Sequence, residues 1–196
     1  MKRCIMTLFI CLALAMPSVC VAADYQLDAD HSSISFKVSH LAVSSVTGRF
    51  NKIKGTASIQ GDDLASRKVQ VIIEAASVDT GHPKRDEHIR SADFLDTAKY
   101  PTITFVSKKF LKDDSGKMKI VGDLTLHGVT REITVDLGGF TPEIKDPWGM
   151  FRRGTTATAV IDRRDFGITW SKVMDYGLAV GNEVSATIEI EWVRKP

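Results

Sequence analysis

The sequence predicts an all-β protein built as a single domain, and three observations predict it. Apolar residues recur at every second position through most of the chain, turn-forming clusters punctuate those stretches, and no linker or low-complexity segment divides them. With 196 residues, 43% hydrophobic and 26% charged, the chain can bury one substantial core and is too apolar for disorder. Lys+Arg 26 against Asp+Glu 24 leaves a formal charge of +2, which provides no basic field for a nucleic acid.

The first element is a targeting segment. Lys2 and Arg3 form a basic head, an apolar run follows from Ile5 to Met16, and Val21-Ala22-Ala23 supplies small residues for cleavage after Ala23. The run falls short of the ~20 residues that span a bilayer. Val19 stands before Cys20, where a lipoprotein signal carries a small residue. The reading is therefore a cleaved signal peptide over 1–23 and one domain over 24–196. Cleavage removes Lys2, Arg3 and all three cysteines, Cys4, Cys11 and Cys20. The mature chain then has equal acidic and basic counts and no thiol, so disulfides, Cys-zinc sites and iron–sulfur clusters are excluded.

The strands follow in order. Ile34, Phe36 and Val38 alternate with Ser35 and Lys37; Val69, Val71, Ile73 and Ala75 do the same. So do the stretches Met118–Leu126, Ile133–Leu137 and Val184–Trp192. Each reads as an antiparallel strand with one apolar and one wet face. At ~3.3 Å per residue, 117–127 and 183–194 reach over about 30 Å. Turns are expected at Gly61-Asp62-Asp63, Asp113–Gly116, His127-Gly128 and Gly138-Gly139.

Two stretches break the period. His82-Pro83 starts a helix near 83–91, with Asp86 and Arg90 spaced for an ion pair, and Ser91 caps a turn over 92–95. Pro101 ends that segment. Thr141–Arg153, with Pro142, Pro147, Trp148 and Gly149, reads as a loop. Seven to nine long strands hide their apolar faces as two packed sheets or as one closed barrel. An eight-stranded barrel is just wide enough for packed side chains or one slender ligand. Periodicity does not say which face is inside. The hydrophilic loops and the terminus Arg194-Lys195-Pro196, without a final aromatic residue, favour a barrel with an apolar lumen over an outer-membrane barrel.

Five blocks carry a resemblance. They are Leu27-Asp28-Ala29-Asp30-His31-Ser32-Ser33-Ile34-Ser35-Phe36 continuing to Val46-Thr47-Gly48-Arg49-Phe50-Asn51; Thr80-Gly81 through Lys84–Asp96; Tyr100–Phe105; Gly122–Thr130; and Arg164-Asp165-Phe166-Gly167-Ile168. In this order they span the mature chain, and the sequence resembles the YceI-like family of lipid- or polyisoprenoid-binding proteins. The resemblance implies a lipocalin-like antiparallel eight-stranded β-barrel with a short helical insertion near 83–95. It also implies a periplasmic, frequently dimeric protein with no established catalytic activity, which carries or stores a long-chain isoprenoid-type lipid, polyprenyl or quinone-like.

A lumen of Ile, Val, Leu and Phe suits a hydrocarbon, at ~0.8 kcal/mol per buried methylene. The expected lumen residues are Ile34, Phe36, Val38, Phe50, Val71, Ile73, Ile103, Phe105, Ile120, Leu124, Ile133, Val135, Phe166, Trp170 and Ile188. Polar groups at a mouth would hold the head of the lipid, and Arg85, His88 and Arg90 in the densest charged cluster are the candidates. Arg152-Arg153 and Arg163-Arg164 read first as solvated charge and second as contacts for an anionic lipid. No cofactor and no metal are expected, since His82 and His88 lie six apart and miss the helical i, i+4 spacing. His31 reads as a hydrogen-bonded turn residue and His127 as the closing residue of a hairpin. The chain lacks the Gly-x-Ser-x-Gly, phosphate-loop and His-Glu-x-x-His motifs. An enzyme acting on a lipid and an envelope interaction protein with a solid core are the alternatives to a carrier.

Overall fold

The computed structural model describes residues 23–59, 63–174, 177–194 and 196. The expected leader up to residue 22, and Gly61 and Asp62 of the expected 61–63 turn, lie outside the described residues. The strands are β1 (Ala23–His40), β2 (Ser44–Phe50), β3 (Ile53–Ile59), β4 (Lys68–Glu74) and β5 (Val78–Asp79), followed by helix α1 (Pro83–Arg90). Then come β6 (Thr102–Lys112), β7 (Met118–Leu126), β8 (Val129–Phe140), β9 (Ile144–Lys145), β10 (Phe151–Asp162), β11 (Val173–Met174), β12 (Gly177–Leu178) and β13 (Val180–Arg194).

Eight of these close a ring. The order β1-β3-β4-β6-β7-β8-β10-β13 returns to β1 through the antiparallel pairing of β1 with β13, and all neighbours in the ring are antiparallel. Closure removes the two sheet edges that an open sheet of long strands would leave unpaired. β1 is shared along its length: Ala23–Gln26 pairs with β3 and Ser35–His40 pairs with β2. β2 continues past the ring to pair with β5.

Local chemistry explains the punctuation. His127 (φ 52°) and Gly128 (φ 74°) form the two-residue turn between β7 and β8, the positive-φ pair that matches strand twist in a tight hairpin. Gly138-Gly139, expected as a turn, lies inside β8 instead. Phe140 pairs with Thr155 and Leu137 with Ala157, so two glycines face the single Thr156, and Gly139 takes φ 92°. The pair is a β-bulge, which bends the strand without ending it. The 141–153 segment carries the β9–β10 pairing rather than an unstructured loop.

The barrel has two unlike halves. At the end that holds the start of β1 and the close of β13, Tyr25, Ile53, Ala57, Phe110, Ile120, Val135 and Trp192 form one packed cluster. At the other end, the connection from β4 to β6 and the connection from β10 to β13 fold over the opening. The first contains β5 and α1; the second contains the 3₁₀ turn Arg163–Phe166. Cross-strand ion pairs such as Lys108–Asp123 (2.6 Å), Lys108–Glu132 (3.1 Å) and Lys119–Asp136 (3.5 Å) occupy partly exposed positions, where a lipid-facing barrel carries apolar side chains. No helix among the described residues is long and apolar enough to cross a membrane.

Candidate functional site

The capped half of the barrel holds a partly open apolar cavity of about 370 Å³. β1 supplies Ile34, Phe36 and Val38 through its alternation, and β2 adds Val46 and Phe50. Gly48 pairs with Phe36, and the Phe36 ring lies over it: a Cβ on Gly48 would stand 2.4 Å from Phe36 Cζ. The absent side chain is what lets the ring lie flat against the wall and reach Phe50, 5.6 Å away between centroids.

The cap is built from α1 and the two connections. His82 caps α1 by accepting the Arg85 N–H at Nδ1 (3.4 Å), and Pro83 opens the helix. Asp86 is buried and does not pair with Arg90; its Oδ1 accepts the Thr80 N–H (2.9 Å) and the Thr80 hydroxyl. Arg85 donates Nε to the same hydroxyl (2.7 Å) and Nη2 to the Thr80 carbonyl (2.9 Å). The expected i, i+4 pair loses because the inward Asp86 finds two donors in the preceding turn. Ser91 caps the next turn as expected, its Oγ accepting the Asp93 N–H (3.3 Å). His88 bonds Asp93 (2.8 Å) and meets Phe94 and Trp170 edge-on at 5.0 and 4.8 Å. Phe94 and Trp170 are 5.1 Å apart, so this aromatic trio joins the two connections across the opening.

Of the fifteen expected lumen residues, Ile34, Phe36, Val38, Phe50, Ile73, Ile103, Leu124 and Trp170 line the cavity. Val71, Phe105, Ile120, Ile133, Val135 and Ile188 belong to or pack against the solid cluster at the other end. Phe166, 1% exposed, anchors the small cluster under the cap with Ala75, Ile103, Leu126 and Ile168. Arg85 and His88 line the cavity; Arg90 does not, and reaches the Val78 and Ala76 carbonyls at 3.3 and 3.5 Å.

Reading the sequence as separate strands passed over Ile89, Leu95, Leu126, Ile161, Ile168 and Val180, all of which line the cavity, as does Arg163, which in sequence reads first as solvated charge. Leu126 carries the same alternation as Leu124; nothing local marks Arg163. Arg163-Arg164 is not a solvated pair. Arg164 is exposed and held by Asp162, whose carboxyl it lowers to about 2. Arg163 is only 4% exposed and donates to the carbonyls of Gly181 (2.8 Å), Ile168 (2.8 Å) and Val180 (3.2 Å). Burial pushes its pKa below the ordinary value.

Arg152 is likewise no free surface charge. It donates to Asp146 (2.6 Å), Asp28 (2.7 Å) and Glu191, tying β1, β13 and the β9–β10 turn together. Arg152 lowers the Asp146 carboxyl; at Asp28, where burial acts upward, its hydrogen bond and that of His31 prevail and the net shift is downward. Asp28, His31 and Glu191 bring ligand-type atoms within 4.8 Å of one another. Arg152 already compensates that charge, so the cluster reads as an ion-pair hub. A second depression, a shallow groove of about 420 Å³ over the Gly138-Gly139 bulge, lies beside this hub and away from the apolar cavity.

The fold and site define a class: a closed antiparallel β-barrel, packed solid at one end and holding a partly open apolar chamber at the other. Within that class, the chain belongs to the YceI-like domain family, whose pattern matches residues 25–192. A UPF0312 protein of Vibrio vulnificus (strain YJ016) is 38% identical over 197 residues, covering all of both chains. A crystal structure of the Campylobacter jejuni YCEI protein is 31% identical with a TM-score of 0.67, over 82% of this chain and 91% of that one. A polyisoprenoid binding domain from Saccharophagus degradans, 18% identical, aligns with a TM-score of 0.60 over 88% of this chain and 98% of its own.

Proposed function

We propose that this protein binds an isoprenoid-type lipid by its apolar tail and acts in the periplasm as a carrier or store. The observation that carries the reading is the partly open chamber of about 370 Å³ walled mainly by aliphatic and aromatic side chains. Such a chamber rewards a hydrocarbon with ~0.8 kcal/mol for each methylene withdrawn from water, less the entropy of ordering the chain. The name of the Saccharophagus degradans domain as a polyisoprenoid binding domain supports the same ligand class. The leader-like residues 1–23 support export, and an exported carrier would move a lipid that water alone does not dissolve.

The test is extraction. Protein purified from its own host without detergent should release an apolar molecule into organic solvent, identified by mass spectrometry, and the stripped protein should take up an added prenyl lipid. No bound molecule and no uptake would overturn the proposal. Sequencing the amino terminus of protein from the periplasmic fraction checks export separately; a chain that still begins at Met1 would refute it.

A further inference from the structure

The β1–β2 hairpin ends in a turn whose residues defy its backbone. Leu41 (φ 53°) and Ala42 (φ 57°) both lie in the left-handed region, and the Val43 N–H closes the turn on the His40 carbonyl at 3.2 Å. These are the φ signs of a type I′ turn, which favours Asn-Gly because a larger side chain is strained there. Exposed turns also favour polar residues. This one reads Leu-Ala-Val, with Ala42 exposed and Val43 82% exposed. Backbone strain and an apolar tip in water are two separate penalties, and Val43 offsets neither by packing within the barrel.

The tip stands at the opening of the chamber. His40, beside it, is exposed and also lines the cavity, as do Ser39 and Val46 on the two strands of the hairpin. The Leu41 N–H donates to the Ala179 carbonyl (3.0 Å), and the Ala179 N–H to the Lys172 carbonyl (2.9 Å). These bonds hold the hairpin against β11 and β12, where Val173 is also 82% exposed and pairs with Leu178. Two exposed valines therefore stand on neighbouring segments of one rim.

Charge borders the tip and is absent from it. From Val38 to Gly48 the chain has no Asp, Glu, Lys or Arg, and the first charged residue beyond, on either strand, is a cation: Lys37 on β1 and Arg49 on β2. Both are exposed, and Arg49 reaches Asp79 at 3.7 Å. Lys172 is exposed beside Val173. At ~3.3 Å per residue the two strand cations stand roughly 15–20 Å behind the tip. A tip sunk about 5–10 Å into the acyl boundary leaves them within about a Debye length of the lipid phosphates.

We propose that this rim docks on a lipid bilayer, with Leu41, Ala42, Val43 and Val173 entering the boundary between headgroups and acyl chains and Lys37, Arg49 and Lys172 facing lipid phosphates. The tip enters without desolvating a charge, and the cations behind it are attracted to anionic lipid. Docking sets the mouth of the chamber against the membrane surface. The surface is additional to the chamber, and the proposal holds whatever the chamber contains.

The test floats the purified protein with vesicles of phosphatidylcholine, and with vesicles of an equal mixture of phosphatidylcholine and phosphatidylglycerol. Binding should be stronger on the mixture and should weaken as salt is added. Val43→Asp combined with Val173→Asp should lower it about a hundredfold, the loss for two valines kept in water, with Tm unchanged because both positions are exposed. Leu41→Asn with Ala42→Gly installs the pair this turn favours, so Tm should hold or rise while binding falls about tenfold. Trp148→Asp, at an 81% exposed position by the solid end, should float as wild type does. Wild type that floats with neither vesicle, rim variants that float like wild type, or loss confined to Trp148→Asp each overturn the proposal. Rim variants that abolish self-association in sedimentation yet keep vesicle binding make the rim an interface between copies, and overturn it too. Each of these failures leaves lipid binding in the chamber standing, since extraction measures that separately.

Discussion

Ile120 and Leu124 offer a direct measure of where the barrel is hollow. They lie on one strand, β7, four residues and therefore about 13 Å apart, and the period of two points both into the lumen. Ile120 is 4% exposed and sits between Phe110 and Val135 in the packed end; Leu124 lines the chamber. Replacing either with Ala deletes three carbons. At Ile120 the lost transfer free energy is about 2.4 kcal/mol, from ~0.8 per methylene. The new void, of order 75 Å³, adds about 1.8 kcal/mol at ~24 cal/mol per Å³. Ile120→Ala should thus cost about 4 kcal/mol. At Leu124 one face of the side chain already looks onto open space, so no comparable void term arises and only part of the transfer term is lost, about 1–2 kcal/mol. Urea unfolding of the lipid-stripped proteins, with unchanged m-values, measures both. Costs equal within about 0.5 kcal/mol, or a larger cost at Leu124, would refute the division into a solid and a hollow half.

Gly48→Ala should drive Phe36 off the chamber wall, because the added Cβ would lie 2.4 Å from Cζ, and lower lipid affinity while destabilising by about 1–3 kcal/mol; binding titration beside urea melts checks it. Arg152→Leu should lower Tm and blunt its response to acid. Asp28 and Asp146 are held below their ordinary 3.8 in the fold, so the stability they contribute is present above that value and is lost as pH falls below it through their lower folded values. Melting curves from about pH 5 down to about 2 should therefore drop steeply below pH 3.8 for wild type and less for the variant. A protein carrying Trp148→Phe and Trp192→Phe keeps only Trp170, which touches His88 and Phe94 in the cap, and its emission should shift when a lipid enters; a constant spectrum during demonstrable binding would place the guest elsewhere.

The local pattern of residues was enough to place five of the strands, the helix start at His82-Pro83, the hairpin at His127-Gly128 and the two opposite faces of each of those strands, because these depend on periods and turn preferences within a few residues. The closure into eight strands and the helical insertion also followed from the family blocks, and the closed ring has that form. Tertiary structure alone decided what an inward side chain meets. Ile120 and Leu124 have the same periodicity, yet one meets Phe110 and Val135 across the wall and the other meets space, since residues distant in sequence supply or withhold the opposing atoms. The same holds for charge. Arg163 and Arg164 are adjacent, but the 3₁₀ turn sends one to solvent and Asp162 and the other to carbonyls of the Ile168 and Val180–Gly181 segments. Gly138-Gly139 likewise became a bulge only because Thr156 stood opposite on β10. Periodicity tells which side chains share a face; closure of the barrel turns that face inward, and the far wall determines whether anything fills the space in front of it.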